Sequence, residues 1–181
     1  ARGQRQPVGF AAAVLGVETG AFKADTVLTS QGPRILEVAG RLSGGFDSQV
    51  TTPLATGRDF IGACILIACR DERFDVLDLL LRPRWQRVAV CRGVFVDSEF
   101  VVGAEARPAG VWRDERGARV FRYGPGARLV PAAHCAQRIG FGIAAADSFF
   151  DADLEAANRA HEVYTYYAQW AAAEPARVIE E

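Results

Sequence analysis

The chain has 181 residues and a mass of 19.6 kDa, and half of it is apolar, enough to bury a real core and to exclude a disordered segment. Twenty-one basic residues against 22 acidic ones give a formal charge of -1, without the basic excess that gripping a phosphate backbone requires, so nucleic acid is not an expected partner. The longest apolar stretch, Phe60 to Cys69, falls short of the roughly 20 residues that cross a bilayer; with no signal-peptide pattern, the expected setting is the cytoplasm, away from membranes.

Pro7 to Leu15 suits a short helix that starts near the proline and stops at Gly16 and Gly20. Two strands follow: Phe22 to Leu28 alternates, Gln31-Gly32-Pro33 turns, and Ile35 to Ala39 runs back, which predicts a β-hairpin. A Gly/Ser-rich loop, Ser43-Gly44-Gly45, leads through Thr56-Gly57-Arg58-Asp59 to a helix from Phe60 to about Arg70, and a second helix is expected over Asp71 to Leu81. Pro83 breaks that pattern. Beyond it, Val88 to Val96, Phe100 to Glu105 and Arg119 to Tyr123 read as strands, and Asp151 to Trp170 as an amphipathic helix with Asp151 or Asp153 near its N-cap. The expected class is α+β: residues 1–84 form an antiparallel sheet lobe with packed helices, and residues 85–181 a small β-rich subdomain closed by the terminal helix.

Cys64, Cys69, Cys91 and Cys135 lie far apart without a CxxC pair and are expected to stay reduced, Cys64 and Cys69 within the core. His134-Cys135 has no second ligand pair at metal spacing, and Gly124-Pro125-Gly126 lacks the Lys-Ser/Thr of a phosphate loop; both read as structural, the latter as a hairpin turn. His161 reads as a half-buried surface histidine. The tryptophans and the cluster Tyr164, Tyr166 and Tyr167 read as core or interface. The chain has no methionine and opens on polar residues that run straight into an apolar stretch, so it reads as part of a longer protein.

A hairpin turn centred on Gln31 opposes Asp25 to Glu37. Like charges about 5 Å apart on neighbouring strands destabilise the pairing, so these two need a neutralising cation or a retained proton. Alternation places Lys23, Asp25, Glu37 and Ala39 on one face and Ala24, Thr26, Leu36 and Val38 on the other, the expected core face. The cation is either a divalent metal or Lys23, which lies diagonal to Glu37 and is the only lysine beside 20 arginines.

Gly20 to Asp25, followed by Gln31-Gly32-Pro33-Arg34-Ile35-Leu36-Glu37-Val38-Ala39-Gly40-Arg41-Leu42-Ser43-Gly44-Gly45, resembles the second half of an ATP-grasp domain. In that family an acid on one strand, a Gly-Pro turn and a return strand carrying Glu-x-Asn-x-Arg precede a Gly-rich loop. The resemblance implies that Asp25 and Glu37 bridge Mg²⁺ to the phosphates of ATP, and that Arg41 steadies an acyl-phosphate and the tetrahedral intermediate. It also implies that Ser43, Gly44 and Gly45 face phosphate or a substrate carboxylate. Asp25 stands where the family more often has Glu. Ala39 stands where many members keep a metal-binding Asn, as is similar to the L-amino-acid ligase branch rather than the relatives that make purine precursors or carboxylate biotin; a carbamoyl-phosphate-synthase-like origin is the neighbouring reading. Beyond the hairpin the likeness is loose.

The implied activity is formation of an amide from a small carboxylic acid and an amine through an acyl-phosphate. The partners implied are the N-terminal domains of a parent ligase, without which this chain lacks most of the nucleotide site and is expected to be inactive. The competing expectation is a non-catalytic module serving association or homodimerisation.

Overall fold

The structure, a computed structural model, describes residues 5–70 and 86–172. The helix expected over Asp71–Leu81, its Pro83 break and Trp85 lie outside the described residues. The chain divides into two compact units, Ala1–Gln49 with Arg58–Pro83, and Val50–Gly57 with Arg84–Glu181.

The first unit carries helix α1 (Arg5–Val14), strands β1 (Lys23–Thr29) and β2 (Gly32–Ala39), and helix α3 (Phe60–Ala68). Asp59 caps α3, its carboxylate accepting from Gly62 N at 2.8 Å, an N-cap that satisfies one of the orphan amides of the first turn. β1 and β2 pair antiparallel and close through a two-residue turn, Ser30-Gln31, between the partners Thr29 and Gly32. That turn lies half a residue earlier than expected. A bulge compensates: Asp25 pairs with Glu37 while Thr26 pairs with Ile35, which leaves Leu36 as the extra residue and restores the expected opposition of the two acids.

The hairpin's core face does not form as alternation predicts. Ala24 and Val38 are half-buried, but Thr26 is exposed and Leu36 is 71% exposed. The bulge takes Leu36 out of the pleat. A two-stranded sheet also needs a helix across its whole face to bury one side, and α1 leaves an open groove of about 370 Å³ between Phe10, Val14 and Leu15 on one wall and Pro33 and Ile35 on the other. Cys64 is only half-buried and Cys69, at the end of α3, is exposed, so neither is the core residue expected. Cys64, Cys69, Cys91 and Cys135 form no disulfide with one another.

The second unit begins with the short helix α2 (Thr52–Thr56) and centres on a four-stranded antiparallel sheet in the order β3-β8-β6-β5, built from Val88–Val94, Gly140–Ala146, Gly117–Phe121 and Gly110–Asp114. A smaller sheet, β7-β4-β9, joins Arg128–Leu129, Phe100–Val102 and Ala171–Ala172. The long helix α4 (Phe149–Gln169) begins at Ser148, whose hydroxyl accepts from Asp151 N at 3.1 Å. The N-cap is therefore Ser148 rather than Asp151 or Asp153. Gly124-Pro125-Gly126 is a turn, closed by Ala127 N donating to Gly124 O, but it links strands of different sheets rather than a hairpin. His134 lies outside any strand: its Nδ1 accepts from Ala136 N and so caps a short 3₁₀ turn, Cys135–Gln137. His161 is exposed rather than half-buried.

Packing in this unit rests on α4. Ala152, Ala156, Arg159, Val163 and Tyr167 recur at helical spacing and are all buried. They meet β8, whose Gly142 allows backbone to touch backbone: a Cβ there would run into Ala160 N and Ala156 O. Tyr167 completes the seat, its buried hydroxyl donating to Tyr123 O and accepting from Tyr123 N, each at 3.0 Å, while burial pushes its phenol pKa up. Trp112, Phe121, Tyr166 and Tyr167 form a chain of tilted and edge-on rings. Buried Arg159 makes a forked pair with Asp114 at 2.7 and 3.1 Å.

Gly142→Ala is expected to cost several kcal/mol in urea unfolding, because the helix must lift off the strand, whereas Gly9→Ala, with open space around it on α1, should stabilise by up to about 1 kcal/mol. The hydrogen bonds from Arg159 lower the Asp114 pKa from 3.8 to about 2. Below pH 4 the unfolded chain therefore takes up a proton that the folded chain refuses. The contribution is whole above about pH 4 and lost as pH falls towards 2, and Asp114→Asn should flatten that part of the stability profile.

Candidate functional site

All six residues singled out for chemistry lie in the first unit, on β2, at its exit and on the opposing strand β1. Asp25 and Glu37 are directly opposed, and both point into open solvent: their side chains are 49% and 61% exposed. Lys23 sits opposite Ala39, two residues before Asp25 on the same face. Its ammonium lies 2.6 Å from Asp25 Oδ2 and 4.0 Å from Glu37 Oε1. A cation thus stands beside the two opposed carboxylates.

Arg41 follows β2 by two residues and pairs with neither acid. Its Nη1 donates to Leu42 O at 3.1 Å, and the side chain is exposed. Ser43, Gly44 and Gly45 form the next turn. The Ser43 hydroxyl donates to Asp47 Oδ2 at 2.9 Å, Ser48 donates to Ser43 O at 3.1 Å, and Asp47 N donates to Gly44 O at 3.3 Å. Gly45 and Phe46 take successive left-handed conformations, φ 68° and 67°, and nothing lies within 4 Å of where a Cβ on Gly44 or Gly45 would stand. The turn thus holds its shape by its own hydrogen bonds and keeps an open outer side. Asp47 and Ser48, which fasten it, escaped the sequence reading. The one available signal was an acid four residues after Ser43.

Two carboxylates make a small donor set, and among the described residues no group of three or more His, Cys, Asp or Glu gathers anywhere. That excludes a closed all-protein metal cage in this region. It suits Mg²⁺, which keeps waters and is held through one or two carboxylates together with substrate phosphates. The Lys23 ammonium marks the point at which the pair attracts positive charge, so these residues fit a magnesium ion that arrives with phosphate.

No family model matches the sequence, and no curated protein matches it. Among solved structures the chain is similar to phosphoribosylglycinamide synthetase from Anaerococcus prevotii, with a TM-score of 0.68 and 14% identity over 85% of this chain and 39% of that one. It is also similar to L-amino acid ligase from Bacillus licheniformis, with a TM-score of 0.62 and 18% identity over 91% of this chain and 39% of that one. The chain spans about two fifths of the length of each. At these identities the likeness establishes the fold alone, an α+β fold shared with part of each of these two ligases. Among the described residues no single helix is long and apolar enough to cross a membrane.

The charge arrangement predicts opposite outcomes for two neutral substitutions. Glu37→Gln removes a like-charge opposition while leaving the Lys23–Asp25 pair, and unfolding free energy should stay within about 0.5 kcal/mol of the parent or rise. Lys23→Gln leaves two carboxylates opposed and should lower it by up to about 1 kcal/mol.

Proposed function

We propose that this chain is the acid-bearing lobe of an ATP-dependent ligase that joins a small carboxylic acid to an amine through an acyl-phosphate. The observation that carries the reading is the register: on a fold shared with parts of two ligases, Asp25 and Glu37 stand directly opposed on an open hairpin. Arg41 and the Ser43-Gly44-Gly45 turn follow on the same chain segment.

In this reading Asp25 and Glu37 hold Mg²⁺, whose chemistry when bound is to neutralise charge on the polyphosphate and the transferred phosphoryl group. The Arg41 guanidinium, spent on one neighbouring carbonyl, keeps donors for the acyl-phosphate and for the oxyanion of the tetrahedral intermediate, where a fork matches the oxygens. The open side of the Ser43-Gly44-Gly45 turn receives phosphate or the substrate carboxylate on backbone N–H groups. The amine attacks the acyl carbon, the phosphate leaves, and the amide nitrogen gives up its proton.

The rest of the nucleotide site is assigned to further lobes of a parent ligase, and the apolar surface of the first unit supports that partner. Phe10, Val14, Leu15, Leu28 and Leu36 are all more than half exposed there, and α3, apolar on every side, buries only Ala63. Surfaces of this kind mark an interface. A cytoplasmic setting goes with this reading; a homodimer through the same surface would be the outcome for a free-standing module.

Titration of Mg²⁺ with ATP into the chain should give weak, metal-dependent binding that Glu37→Ala and Asp25→Ala both abolish, and mass spectrometry of the native source should find a longer parent. Absence of both would withdraw the ligase reading and leave an association module.

A further inference from the structure

We propose that Lys23 is a resident counter-cation, occupying the place of the divalent ion at the Asp25–Glu37 pair and giving it up only when a polyphosphate arrives. Metal uptake by this lobe then depends on the phosphates that accompany the metal. This inference rests on the reading of Asp25 and Glu37 as metal ligands and adds a control over when they act.

Counting charge gives the reason. The pair carries two negative charges, and one ammonium 2.6 Å from Asp25 and 4.0 Å from Glu37 offsets half of them. A bare dication joining that ammonium sets three positive charges against two negative ones, so either the metal stays away or Lys23 leaves for solvent. A polyphosphate reverses the balance, because it brings its own negative oxygens and offers the displaced ammonium a new acceptor. The acids are about half exposed or more, so a metal or a polyphosphate reaches them from solvent, while the Lys23 side chain, 22% exposed, uncovers part of its stem when it leaves. Its residue type suits the role. Every other basic residue of the chain is arginine, whose fork would lock onto a carboxylate, whereas a compact ammonium on a flexible stem exchanges acceptors readily. Ala39, directly across the ladder, is a small neighbour.

Calorimetric titration of the full chain with Mn²⁺ alone, and separately with preformed Mn²⁺–tripolyphosphate, tests this in the parent, Lys23→Gln and Glu37→Gln forms. The parent should bind the bare ion weakly and the complex more tightly. Lys23→Gln should bind the bare ion about tenfold tighter and lose most of the preference for the complex, with an unchanged circular dichroism spectrum. Equal affinity for bare Mn²⁺ in parent and Lys23→Gln, with Glu37→Gln weaker in both titrations, would overturn the role of Lys23 and leave the metal pair standing. No binding of either probe to parent or Lys23→Gln would overturn both.

Discussion

Charge opposition on the β1–β2 hairpin constrains everything that this chain offers to chemistry. Two carboxylates face each other across a ladder that leaves them about half exposed or more and gives them few partners. Such a pair survives only with a cation beside it, and Lys23 is that cation. The position of the pair depends in turn on backbone detail: a turn centred between Ser30 and Gln31 would place Asp25 opposite Leu36, and the single bulged residue, Leu36, brings Glu37 into register instead. A one-residue slip would put the second acid on the other face of the sheet.

The two units solve the problem of burial differently. In the second, α4 seats its Ala152, Ala156, Val163 and Tyr167 stripe on a strand of glycine and alanine, and the sheet, the helix and the aromatic chain enclose a continuous core. In the first, the hairpin, α1 and α3 leave large apolar side chains in solvent. That exposed apolar surface is what supports the proposal of further lobes packed against this one.

The Gly-rich turn after β2 is held by the residues that follow it. Ser43 spends its hydroxyl on Asp47, and Ser48 spends its own on the Ser43 carbonyl. The turn is thereby held in a shape with two consecutive left-handed residues, one of them Phe46, where a β-carbon is ordinarily unwelcome.

The sequence by itself determined the local features whose causes are local: the helices beginning near Pro7 and at Phe60, and the hairpin, because alternation and turn residues act over a few positions; the opposition of Asp25 and Glu37 followed from a turn centred on Gln31, and the structure reaches it instead through a shifted turn and a bulge at Leu36. It left β8 unread, since Gly-Phe-Gly-Ile-Ala-Ala-Ala has weak strand propensity and becomes a central strand only because α4 demands small residues beneath it. It misplaced the start of α4, where Ser148 rather than an aspartate takes the cap, and it assigned Leu36 to a core that the bulge and the narrow hairpin do not provide. Which of two cations neutralises the acid pair was equally undecidable from spacing. What the tertiary structure adds is a Lys23 ammonium 2.6 Å from Asp25 and 4.0 Å from Glu37, because electrostatic pairing depends on distances of a few ångströms that residue order does not specify.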